Sequence, residues 1–181
     1  MMAQQAHPNE PIRPVDREAN DTTLTGRPEP DFRPDALHKL LAGFSIGVAI
    51  TAPIFFALQS IGTLDVLPVR YGMDGQVLRE GSVWEAIGGL ILLGLGTLAL
   101  VILARYPKIL NYPVTLTEHN VQGQYKTAVY TLVWVAFSMS LTMLILVASW
   151  LQLINIGWIW LALLLTVTAI IIGISRMLKL R

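Results

Sequence analysis

The chain has 181 residues, 54% hydrophobic and 14% charged, with a formal net charge of +1 and no cysteine. Soluble domains carry roughly 25% charged residues, so burial in lipid is the better match for this composition. The near-neutral balance argues against a nucleic-acid binder, which needs a basic face, and the missing cysteine excludes disulfides, thiol catalysis and thiolate metal sites.

Residues 1–39 hold 5 of the 13 basic and 7 of the 12 acidic residues. Residues 1–35 contain Pro8, Pro11, Pro14, Pro28, Pro30 and Pro34 with few apolar residues, which predicts a disordered cytoplasmic tail. The first apolar run starts near Leu40. That is too far from Met1 for a cleavable signal peptide, so the run is expected to act as an uncleaved anchor.

Residues 36–181 are predicted to form one all-α, four-span transmembrane domain. The spans fall near 40–61, 83–104, 127–153 and 155–174, each of the length of about 20 residues that crosses a bilayer. The last two are separated only by "LQLIN" and so form a tight helical hairpin. Pro53 is expected to kink the first span without ending it. Gly43 and Gly47 lie on one face of that span. They serve either as a homo-oligomer contact or, the expected use, as packing within the bundle.

Lys and Arg alternate along the chain. Arg27, Arg33 and Lys39 precede the first span, Arg105, Lys108 and Lys126 lie between the second and third, and Arg176, Lys179 and Arg181 follow the fourth. The loop between the first two spans holds only Arg70 and Arg79, and the last loop holds neither type. This bias puts the tail, the second loop and the C-terminus in the cytoplasm, with the first and third loops outside. Trp84, Trp150, Trp158 and Trp160 fall at the outer ends, Tyr106, Tyr125 and Tyr130 at the inner ends.

In the first loop, "PVRYG" and "QVLRE" flank "MDG". An Asp-Gly pair favours a tight turn, so a small β-hairpin is one reading and an irregular loop the other. Pro68, Arg70, Tyr71, Asp74, Gly75 and Arg79 give this loop a mixed-charge surface suited to a peptide or a membrane-protein partner.

The inner loop reads "RYPKILNYPVTLTEHNVQGQYK". Pro107 stops the second helix and Pro113 keeps Tyr112 extended. Thr115 and Glu118 have capping-box spacing, with Thr117 an alternative cap, and the chain is expected to be helical from Glu118 onward. Glu118 and His119 are adjacent and so diverge by about 100° on a helix, which argues against an acid–base pair. No metal-ligand spacing or nucleophile pattern accompanies them. The loop is therefore predicted to be a structural joint, built from Asn111, Tyr112, Pro113, Thr115, Thr117, Glu118, Asn120, Gln124 and Tyr125. No enzymatic activity and no cofactor are expected.

On Asn111, Tyr112, Pro113, Thr117, Asn120, Gln124 and Tyr125, the inner loop resembles a bacterial integral membrane family related to the N-terminal module of sporulation-delay toxin immunity proteins. Pro68, Val69, Tyr71, Gly75 and Trp84 of the outer loop fit the same family, whereas Arg70, Gly72 and Val77 replace its usual His, Asn and Pro. The resemblance spans about residues 40–150. It implies a non-enzymatic membrane protein that recognises a partner or peptide. A transporter or channel subunit is the alternative, although the spans supply only hydroxyls and amides such as Thr51, Gln59, Ser138, Ser140 and Thr142.

Overall fold

The structure, a computed structural model, describes residues 26–180. Four helices are long and apolar enough to cross a membrane. They are α1 (Ala36–Ser60), α2 (Val83–Leu103), α3 (Val121–Trp150) and α4 (Ile159–Lys179). Strands β1 (Val66–Tyr71) and β2 (Val77–Ser82) form an antiparallel hairpin between α1 and α2. Short 3-10 turns at Pro107–Ile109 and Ile156–Trp158 precede α3 and α4.

Helices α1 and α2 each begin where a polar side chain takes up an orphan amide. Asp35 accepts from the His38 amide at 2.9 Å, and Ser82 accepts from the Glu85 amide at 3.3 Å. Asn155 caps the 3-10 turn first, accepting from the Gly157 amide at 2.7 Å, so α4 starts four residues later than the sequence predicts. The helix α3 ends without glycine. Gln152 takes φ 58°, the Leu153 amide donates to Ala148 at 2.8 Å, and the Gln152 amide donates to Ser149 at 3.0 Å. These two bonds make a Schellman stop with a glutamine at the left-handed position.

The helices do not close into a square bundle. Helices α1, α2 and α3 pack on one another, whereas α4 rests on α3. Only 17% of the α4 span is buried, against 33% for each of the others, which leaves most of its apolar surface outward. The main core lies at the hairpin end, where Phe56, Leu90, Met143 and Trp150 meet beneath Leu67 of β1.

Pro53 does lie inside α1 without ending it. As a proline it cannot donate to the carbonyl of Ala49 four residues back. That carbonyl abuts α2 at Gly94, where an added Cβ would come within 2.8 Å of the oxygen. The small residue therefore admits the close approach of α2 just where α1 has a freed acceptor. Gly43 and Gly47 have a different setting from the expected bundle packing. Both are exposed, with nothing within 4 Å of a Cβ built on either. The close contact of α3 with α4 is made instead at Gly173, against the side chain of Thr131.

The expected disordered tail falls largely on residues 1–25, outside the described residues. Residues 26–35 lie against the inner loop. Arg27 donates to the carbonyls of Lys108 and Leu110, Lys108 pairs with Glu29 at 2.7 Å, and Gln122 bonds both the Glu29 carbonyl and the Asp31 amide. Their mixed charges serve this local docking, not the solvation of a loose segment.

Candidate functional site

Three places gather polar chemistry. At the hairpin end, the strands are joined by a five-residue loop, 72–76, and not by the two-residue turn that Asp-Gly suggests. Gly72 donates to the Gln76 carbonyl at 2.8 Å, Asp74 accepts from the Gln76 amide at 3.1 Å, and Gly75 takes φ 81°. The left-handed conformation explains glycine after Asp74.

The hairpin is tied down through β1. Trp150 of α3 donates its indole N–H to the Pro68 carbonyl at 2.7 Å, and Leu67 is buried beneath. Burial raises the Tyr71 phenol above its ordinary value, opposed by hydrogen bonding with Ser149 and Trp150. Arg79 pairs with Glu85 at the start of α2. By contrast, β2 is almost entirely exposed, and Val77, Leu78 and the loop residue Met73 are open. Arg70, Asp74 and Glu80 are exposed around them. Of the residues assigned to this site, Pro68 and Tyr71 face the helices, Gly75 shapes the loop, and Arg70, Asp74 and Arg79 lie at the surface.

At the other end, the inner loop forms a clamp. Thr117 and Asn120 bond reciprocally: the Thr117 amide donates to Asn120 Oδ1 at 2.9 Å, and the Asn120 amide to Thr117 Oγ1 at 3.3 Å. This is the capping-box exchange, two residues later than the expected Thr115–Glu118 pair. Asn120 also donates from Nδ2 to the Thr115 carbonyl. Asn takes the role over Glu118 because its amide both accepts and donates, holding two backbone groups at once. Glu118 and His119 are exposed in the turn, and α3 starts at Val121, later than Glu118.

Tyr112 donates to the Pro107 carbonyl at 2.8 Å, and its ring lies 5.7 Å from that of Tyr125 and 5.9 Å from the Arg27 guanidinium. Burial, with Tyr125 adding to it, raises the Tyr112 phenol well above its ordinary value, against the pull of Arg27. Gln124 is fully buried and donates from Nε2 to the carbonyls of Met177 and Leu180 at the end of α4. Asn111, Pro113 and Thr115 are exposed. The clamp thus brings together residues 26–35, the loop, the start of α3 and the end of α4.

The third place was not legible as a site in the sequence. Beside α3, between the first turn of α1 and the facing side of α4, lies a groove of about 610 Å³. Lys126, Arg176 and His38 line it together with Tyr130, Thr131, Trp134 and Leu165. In the sequence, Lys126 and Arg176 stand 50 positions apart and each reads as an interfacial anchor. Only the antiparallel packing of α3 with α4 places them on one rim.

Among the described residues, no group of three or more His, Asp or Glu side chains is placed to hold a metal ion. No family model, curated protein or solved structure matches this chain.

Proposed function

We propose that the chain is a non-enzymatic, multi-pass protein of the bacterial cytoplasmic membrane, with both termini cytoplasmic, that recognises an extended peptide segment of a partner at its outer hairpin. The observation that carries this reading is the division of labour within the hairpin. Strand β1 is anchored through Trp150 and Leu67, whereas β2 leaves Val77 and Leu78 exposed beside an edge that, among the described residues, no other strand covers. An anchored strand pair with a free edge is suited to strand addition, in which backbone bonds supply affinity and alternate side chains supply choice. The Lys/Arg bias, the four apolar helices and the resemblance of residues 40–150 to an immunity-protein module support the same reading.

The transporter alternative draws less support. The buried hydroxyls Ser45, Ser60, Thr97 and Ser140 each donate to a carbonyl four residues back in their own helix. Each hydroxyl has committed its only proton to its own helix, so it has none to offer a passing anion or a proton relay. Ser138 and Thr166 bond each other at 2.7 Å and join α3 to α4.

A photo-crosslinker placed at Leu78 in native membranes tests the proposal. A single defined polypeptide adduct is expected, lost when Val77 is changed to Asp. Crosslinks confined to lipid, or an adduct indifferent to Val77, would overturn the reading.

A further inference from the structure

The groove beside α3 exists because α4 rests on α3 and leaves a gap toward α1. Its two ends differ in chemistry. Lys126 and Arg176 rim one end, and Trp134 and Leu165 line the other. Eight residues separate Lys126 from Trp134 in α3 and eleven separate Leu165 from Arg176 in α4. At the helical rise, the groove therefore runs about 12–16 Å from charged rim to apolar end. An amphiphile with an anionic head matches that gradient.

A second observation points to a ligand. His38 lines the groove and is only 7% exposed, and its Nε2 is enclosed without a hydrogen-bond partner. The ring is fixed on both sides. Nδ1 lies 2.6 Å from Asp35 Oδ1, and the ring stacks on Tyr130 with centroids 3.6 Å apart. With Nδ1 engaged by the carboxylate, Nε2 is the ring's remaining hydrogen-bonding atom. A buried, unpartnered ring nitrogen calls for a hydrogen-bond partner, and a headgroup hydroxyl, which can both donate and accept, is the complementary group.

We propose that the groove binds one acidic, hydroxyl-bearing glycerophospholipid of the surrounding bilayer. Its phosphate lies at Lys126 and Arg176, its headgroup hydroxyl at His38 Nε2, and one acyl chain runs along Trp134 and Leu165. Acyl burial contributes little selectivity, since the bilayer is equally apolar; the charged rim and His38 supply it. The inference rests on the chain lying in a bilayer and is independent of any partner at the hairpin.

Native mass spectrometry of the full-length chain in detergent micelles tests it, with phosphatidylglycerol and phosphatidylcholine of identical acyl chains as probes. One phosphatidylglycerol per chain is expected, bound about tenfold more tightly than phosphatidylcholine. Lys126→Gln with Arg176→Gln should abolish the preference. Arg105→Gln with Lys179→Gln, which removes equal charge outside the groove, should retain it. His38→Phe keeps an aromatic ring for Tyr130 and should weaken phosphatidylglycerol several-fold. Equal binding of the two lipids, equal loss in both double variants, or displacement of the lipid by equimolar inorganic phosphate would overturn the proposal.

Discussion

Asn120 shows how much one side chain can organise. Its amide group accepts from Thr117 and donates to Thr115, and its own backbone N–H reaches back to Thr117 Oγ1. Asn120→Ala removes a buried acceptor and donor together and should lower stability by about 1–3 kcal/mol. Glu118→Ala and His119→Ala, both in the exposed part of the turn, should change it by less than about 0.5 kcal/mol. Thermal melts of the three variants in one detergent decide the matter, and equal effects would return the cap to Glu118. Asp35 gives a pH-dependent counterpart. The His38 amide, then the His38 ring, holds its carboxyl below the usual range. A depressed carboxyl contributes stability above its unfolded pKa and loses it as pH falls through the folded value. Wild type should therefore lose more stability than Asp35→Asn on acidification below about pH 4, and parallel melting curves would contradict this.

The helices were legible in the sequence because long apolar runs leave little choice of structure in a bilayer. Their ends were less legible, since caps depend on particular side-chain bonds. Asn155 delays α4 by bonding Gly157 first, and Gln152 ends α3 in a conformation that usually signals itself through glycine. Gln152→Gly should accordingly raise stability by up to about 1 kcal/mol, measured by thermal melting. The choice of contact glycine was also hidden, because which glycines touch is set by how the helices cross. Gly94 faces the Ala49 carbonyl that Pro53 leaves free, whereas Gly43 and Gly47 face open space. Gly94→Ala should therefore depress the melting temperature clearly, and Gly43→Ala with Gly47→Ala should not. A larger loss in the second variant would place α1's packing face on Gly43 and Gly47.

At the scale of the whole molecule, the two ends have different work. One end carries an anchored hairpin with an exposed strand, and the other carries the clamp and the charged groove rim. Turn chemistry left the hairpin open against an irregular loop and suggested a shorter turn than the one found, and the anchor was not legible, because Trp150 lies 82 positions from Pro68. Losing that bond should release the hairpin. Trp150→Phe is expected to cost about 1–3 kcal/mol and to speed amide exchange across residues 66–82, with little change in the clamp.

The central claim is that the hairpin faces outward and the clamp inward, and the cysteine-free chain allows a direct test. Single cysteines are placed at Met73, which is 88% exposed, at His119 in the clamp, and at Leu153, which is 72% exposed in the last turn. An impermeant thiol reagent is then applied to intact cells. Labelling at Met73 and Leu153, with His119 protected until the cells are opened, is the predicted result. Labelling of His119 in intact cells, with Met73 and Leu153 protected, would contradict it.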